Sequence, residues 1–380
     1  MKKSLFILTL LILIMGCKKE GCTDYTALNY NVHAEQNDGS CEYNQYVNLI
    51  SGQITENLTL TSDKMWTLQG RVSVINGATL TIEAGTIVKA LAGTGSNASC
   101  IIISRGSMIN AQGTAEQPIV FTSVADDIEI GQLFGTSLNE NVNGLWGGLI
   151  VLGNAPISAS GNMLSVQIEG IPASDPSGLY GGDNPNDNSG ILSYISIRHG
   201  GANIGEGNEI NGLTLGGVGS STVINNIEIV ANQDDGIEWF GGNVNCSNLL
   251  VWGTGDDCID IDQAYGGNID MVLIIPTTNT DHVLEIDGGE GQLNTPFVIE
   301  NCEVLYNNTS EAHFRADAAG YVSLFGDVNI QYLIGLIINK KLMILKEMIF
   351  FIIFVLPSMM CIWYTIVKDR KDYKKFFNKN

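Results

Sequence analysis

The sequence predicts an all-β fold, a right-handed parallel β-helix, and two observations carry that prediction. The first is repetition. Four segments lie over one another between residues 221 and 320: Gly236-Ile237-Glu238-Trp239, Cys258-Ile259-Asp260-Ile261, Val283-Leu284-Glu285-Ile286 and His313-Phe314-Arg315-Ala316. Glu238, Asp260, Glu285 and Arg315 follow one another after 22, 25 and 30 residues, and Thr214 supplies an earlier coil 24 residues before Glu238. Each coil carries a second apolar run: Ile227-Glu228-Ile229, Leu249-Leu250-Val251, Leu273-Ile274-Ile275 and Cys302-Glu303-Val304. Short in-out-in strands at such a period mark a solenoid whose rungs hydrogen-bond to one another. The second observation is composition. Forty-four glycines against eight prolines, with 16% charged residues, suit a turn-rich all-β chain.

The N-terminus reads as an export signal over residues 1–16: Met1-Lys2-Lys3 is basic, and residues 5–15 are apolar but short for a spanning helix. Ile14-Met15-Gly16-Cys17 then resembles a bacterial lipobox. That resemblance implies lipidation of Cys17 and attachment to the bacterial outer membrane or cell surface; an ordinary membrane anchor is the alternative. Residues 17–46 form a Cys-bracketed module and linker. Gly21-Cys22-Thr23-Asp24-Tyr25 through Asp38-Gly39-Ser40-Cys41 resembles a short segment of Bacteroidota surface proteins. In an exported chain this implies a Cys22–Cys41 disulfide, stabilising by roughly 3 kcal/mol on the entropic account. Asp24, Asn29, Asn31 and Asp38 then offer either a calcium loop or a polar spacer.

Residues 47–335 carry the β-helix. Strands are expected at Val72-Ser73-Val74, Leu80-Thr81-Ile82, Ile87-Val88, Ile101-Ile102-Ile103, Ile119-Val120-Phe121 and Trp146 to Leu152, with residues 47–67 capping the first rung. Residues 126–143 and 168–189 interrupt the repeat with polar, Gly- and Asp-rich insertions. Solenoid insertions gather on one side, where the second one either presents Tyr180 to a sugar ring or forms a solvated loop. Phrases such as Ile195-Ser196-Ile197-Arg198-His199-Gly200-Gly201 and Gly255-Asp256-Asp257-Cys258-Ile259-Asp260-Ile261-Asp262-Gln263 resemble uncharacterised β-helix lipoproteins of Bacteroidota. The likeness implies fold and location, and no activity. Residues 336–380 depart from the pattern. Residues 348–367 are uncharged and basic residues follow, which fits a spanning helix with a cytoplasmic C-terminus. The tail is either an inner-membrane anchor or the out-of-frame end of a truncated gene.

Charge narrows the partners. The net charge is -21, but residues 44–335 hold 6 basic against 32 acidic residues, whereas the last 45 hold 9 basic and 3 acidic. An acidic body repels phosphate backbones, which excludes nucleic acid and leaves calcium, cationic partners or neutral sugars. Stacking the coils lines up Asp235, Asp257, His282 and Ala312, and beside them Asp234, Asp256, Asp281 and Glu311. Two residues beyond the Glu238 line come Phe240, Asp262, Asp287 and Asp317. Rungs lie about 4.8 Å apart, so like charges repel and need an offset. Calcium is a hard cation that takes several carboxylate oxygens. Asp234, Asp256, Asp260, Asp262, Asp281, Glu285 and Asp287 are its candidate ligands.

An enzymatic reading competes. The order Asp235, Asp256-Asp257, His282, Arg315 resembles the polygalacturonase family of β-helix glycosidases. The resemblance implies Asp257 as general acid, Asp235 and Asp256 as the base pair acting through water, His282 in support and Arg315 on a substrate carboxylate. The departures are that Gln233 precedes Asp234-Asp235, that His282 has no flanking glycine, and that Ala316-Asp317 follows Arg315 where the family has a lysine. No His/Cys group has zinc spacing, and no phosphate-loop or Gly-x-Ser-x-Gly pattern occurs. The expected function is that of an envelope lipoprotein whose acidic face binds a glycan or other envelope polymer, with calcium. A polysaccharide hydrolase or lyase and a structural stalk are the alternatives.

Overall fold

The computed structural model describes residues 18–23, 31, 33–41, 48–93, 95–203, 210–305, 311–314, 319–325, 329–331 and 336–340. The chain divides into two compact units, Met1–Val47 and Asn48–Asn380. In the first, Glu20–Gly21 pairs in parallel with Gln36–Asn37. Cys22 and Cys41 are disulfide-bonded with their Cα atoms 4.8 Å apart, as the bracketing pattern predicts. Asn31 Oδ1 and Asp38 Oδ1 accept the backbone N–H groups of His33 and Ser40, the local bond that makes these residues turn formers. Cys17, Asp24, Asn29 and residues 348–367 lie outside the described residues. Among the described residues no helix is long and apolar enough to cross a membrane.

The second unit is a right-handed parallel β-helix whose coils visit three sheets in a fixed order. In the first sheet, 79–82, 108–112, 190–193, 223–225, 246–247, 268–270 and 297–300 stack in parallel. The second sheet runs through 66–68, 87–90, 119–123, 195–198, 227–230, 249–252, 272–275 and 302–304. The third runs through 71–74, Cys100–Ile103, Leu149–Leu152, Leu213–Gly216, Ile237–Phe240, Ile259–Asp262, His282–Ile286, Glu311–Phe314 and Asn329–Gln331. Alternation in these short strands sends one set of side chains inward, so Leu215, Trp239, Ile261 and Ile286 lie over one another and are fully buried. Tyr265 packs on Trp239 at 5.7 Å between ring centres and donates its hydroxyl to Val244 O at 2.6 Å.

Single left-handed residues make the bends. Between the first and second sheets stand Tyr194, Asn226, Asn248, Met271 and Asn301, with φ of 52°, 55°, 58°, 60° and 54°. Asparagine is the side chain best tolerated there after glycine, and Asn248 Nδ2 also donates to Asn226 Oδ1 one rung away at 3.1 Å. A second such column, His199, Ala231 and Gly253, follows the second sheet, and a third, Gly217, Gly241 and Gln263, follows the third.

Four expectations are corrected. Residues 47–67 do not cap the stack: Leu49–Ile54 and Leu58–Leu60 pair in parallel with the next coil and are a rung themselves. The run lying over Leu249-Leu250-Val251 is Val272-Leu273-Ile274, one residue before the expected Leu273-Ile274-Ile275. All four residues are apolar, so only the bend at Met271 sets their phase. At the last described coils Glu285 lies opposite His313, not Arg315, and His282 lies opposite Glu311, not Ala312. Lastly, the 168–189 insertion, which the structure extends back to residue 153, does not present Tyr180 and is solvated on one side only. Ile157, Ile168, Ile171 and Tyr180 pack onto Cys100, Ile102, Ile150, Leu152 and Phe240 on the outside of the third sheet, leaving Tyr180 2% exposed.

Candidate functional site: the acidic flank of the third sheet

The outward column of the third sheet reads Ser73, Ile102, Ile150, Thr214, Glu238, Asp260, Glu285 and His313. Its apolar members lie under the insertion. From Glu238 to Glu285 the column is acidic, and it emerges from cover: Glu238 is 5% exposed, Asp260 is half-buried, and the Glu285 side chain is 29% exposed. The boundary is closed by polar contacts. Tyr180 donates its hydroxyl to Gln263 Oε1 at 2.9 Å, Gln263 Nε2 donates to Glu290 Oε1 at 3.1 Å, and Ser158 Oγ donates to Leu293 O at 2.7 Å.

Beside this column, at the bend entering the third sheet, Asp235, Asp257 and His282 stand on successive rungs. The Asp257 N–H donates to Asp235 Oδ1 at 2.9 Å and the His282 N–H to Asp257 Oδ1 at 2.7 Å. Each Asp therefore holds the backbone of the following coil, a structural task that also aims its carboxyl at the next side chain. His282 Nδ1 lies 2.9 Å from Asp257 Oδ1, and His313 Nδ1 lies 3.0 Å from Glu285 Oε1. The two imidazoles are 5.4 Å apart. The rim consists of Asp234, Asp256 and Asp281, of which Asp256 and Asp281 are exposed.

The structure thus brings Asp235, Asp256, Asp257 and His282 together on one flank, whereas Arg315 lies outside the described residues. Among the described residues, four groups have ligand atoms within 4.8 Å of one another: Asp234–Asp235–Asp256, Asp256–Asp257–Asp281, Asp257–His282–Glu285 and Asp235–Glu238–Asp260. Five of the seven calcium candidates, Asp234, Asp256, Asp260, Asp281 and Glu285, fall in these groups. Asp262 and Asp287 join none of them among the described residues. Sequence reasoning passed over Glu238 as a ligand, along with Asn211, Gln263 and His313. Of these, only Glu238 lay on a repeated line, where its strand alternation marked it as outward.

Burial dominates the electrostatics. It holds the carboxyls of Asp235, Glu238 and Asp260 well above the usual carboxylate range, and neighbouring carboxylates add to the effect. Asp257 is pushed up to about 10, first by burial and then by the hydrogen bond and charge of Glu285. Glu285 moves the other way, lowered by the hydrogen bond from Asp257 and by His313. The pair Asp257–Glu285 therefore favours holding one proton between its two carboxyls. Chemically, the flank offers oxygen ligands for a hard cation and an acid beside a base.

A family model described as a pectate-lyase-like β-helix domain matches residues 52–312, which include the four acidic groups above but not His313. No curated protein and no solved structure matches the chain.

Proposed function

The chain belongs to the pectate-lyase-like β-helix family, and on that premise we propose that it is a polysaccharide-binding protein of the bacterial envelope. Its ligand lies along the acidic flank, held through calcium on the rim carboxylates. The observation that carries this reading is the place of Asp256, exposed and common to two ligand groups, one with Asp234 and Asp235, the other with Asp257 and Asp281. A cation there takes three carboxylates from the protein, and sugar oxygens complete a shell of 6–8. It also turns a flank that repels anions into one that accepts them. A repeated column suits a polymer, which meets equivalent groups about every 4.8 Å. Lipidated Cys17 would keep the flank at the cell surface. Arrays of envelope and plant polysaccharides, probed with the full chain in calcium and in EDTA, test the reading. Binding is expected in calcium only, and is lost in an Asp256→Asn/Asp281→Asn variant. Binding indifferent to both changes would refute it.

One observation favours a second reading, polysaccharide cleavage. Asp257 and Glu285 are neighbours whose proton affinities are driven apart, which is how acid and base roles are assigned within one site. Asp257 fits the acid that the polygalacturonase resemblance implies, and Glu285 replaces Asp235 and Asp256 as the ionised partner. Digestion of the bound polysaccharide decides the matter. Products released by the wild type and not by Asp257→Asn support cleavage, and no products from the wild type end this reading.

A further inference from the structure

We propose that Asp235, Glu238, Asp260 and the side-chain oxygen of Asn211 form a second, buried cation site, where the insertion meets the coils. It shares Asp235 with one of the rim groups, lies deeper than they do, and is structural in role. The three carboxylates offer oxygens within 4.8 Å of one another, on two neighbouring strands of the third sheet and the bend before them. Asp235 and Glu238 are 8% and 5% exposed. Among the described residues the ion pairs belong to Arg71, Arg198, His282 and His313, and none involves these three acids.

The independent sign of a missing ligand is at Asn211. This residue is 1% exposed, and its Nδ2 donates to the Glu238 carboxylate, so its amide group lies against the site. Its Oδ1 is buried without a hydrogen-bond partner, as is Asp260 Oδ1. Buried acceptors are normally satisfied, and an orphaned oxygen within the carboxylate group and another on the amide beside it leave an unfilled demand for positive charge. Protons shared between the carboxyls meet part of that demand but bring no donor to Asn211 Oδ1. A hard divalent cation of calcium's class meets both, because every group here offers oxygen. Glu169 of the insertion is a charged neighbour of Glu238, so the ion would sit where the insertion meets the coils.

Thermal unfolding of the full chain in calcium and in EDTA tests the proposal. Glu238 belongs to the buried group alone, so Glu238→Gln isolates it. Calcium should raise the melting temperature of the wild type by roughly 5 °C or more, and the Asp256→Asn/Asp281→Asn rim variant should keep that rise. Glu238→Gln should lose it, and equilibrium dialysis should find one calcium ion fewer per chain than in the wild type. Asp260→Asn serves as the reading if Glu238→Gln does not fold. No rise in the wild type overturns the site, and so does a rise that survives Glu238→Gln. A rise lost only in the rim variant also overturns it, while leaving the polysaccharide reading standing.

Discussion

Met271 holds φ at 60° in a column where three of the other four bend residues are asparagine. A left-handed backbone costs an ordinary side chain about 1–2 kcal/mol, and asparagine relieves part of that through local hydrogen bonds. The column also lends its members partners: Asn301 Nδ2 donates to Asp270 Oδ1 at 2.8 Å, and Asn248 to Asn226. Met271→Asn should therefore stabilise the protein by about 1 kcal/mol, read as a higher urea midpoint at unchanged slope. An unchanged or lower midpoint would mean that Met271 contributes packing that outweighs its backbone strain. At the same scale, the phase of the neighbouring strand hangs on this residue. The apolar run 272–275 fits either face, so the bend decides which side chains enter the core.

At the scale of the element, the insertion is a plate of apolar residues screwed down by a few polar ones. Its own Tyr180 faces the sheet, with its ring 6.0 Å from Phe240 and its hydroxyl on Gln263. Tyr180→Phe keeps the ring and strands the buried amide oxygen, which should cost about 1–2 kcal/mol. The loss should appear as earlier proteolytic nicking within 153–189, before global unfolding. Nicking at the wild-type rate would show that the apolar contacts alone hold the plate. These features also mark how far sequence reasoning reached. Strands and their outward faces were legible because a period of two survives in three residues, so Thr214, Glu238, Asp260 and Glu285 were placed on one line. Alternation cannot separate outward residues two apart, and the strand holding Glu285 has a register shift between His282 and Leu284. His313 and Arg315 were therefore interchangeable on paper. The insertion was illegible for a different reason: Ile157, Ile168, Ile171 and Tyr180 follow no period, so nothing in their spacing revealed a shared buried face.

For the molecule as a whole, the acidic flank couples folding to pH. Asp235, Glu238, Asp257 and Asp260 hold protons in the folded state that the unfolded chain, with carboxyl pKa values near 4, has released. Folding then takes up protons, so this contribution is complete below about pH 4 and is lost as pH rises, for Asp257 up to about 10. Glu285 acts in the opposite sense. Its lowered value gives stability above the ordinary carboxyl range that is lost as pH falls through the folded value. Glu169 and Glu303 are raised as well, against the lowered Glu285 and His199, so the raised carboxyls set the sign. In EDTA the melting temperature should fall between pH 5 and pH 8, and calcium should shrink that fall by standing in for the protons. A melting temperature that climbs over this interval in EDTA would show that these carboxyls are ionised in the fold.

The 22 residues from Glu238 to Asp260 contain one full turn of the stack, with a left-handed bend at the end of each of its three strands. Nothing in the strands of that turn refers to their distance from either terminus, because their ladder bonds go to the turn above and the turn below. A gene carrying the segment 223–244 twice should accordingly yield a protein one storey taller, with an added pair of acids in line with the others. The length over which the molecule grips a chain-like partner is in this sense a dial that duplication can turn without redrawing the rest.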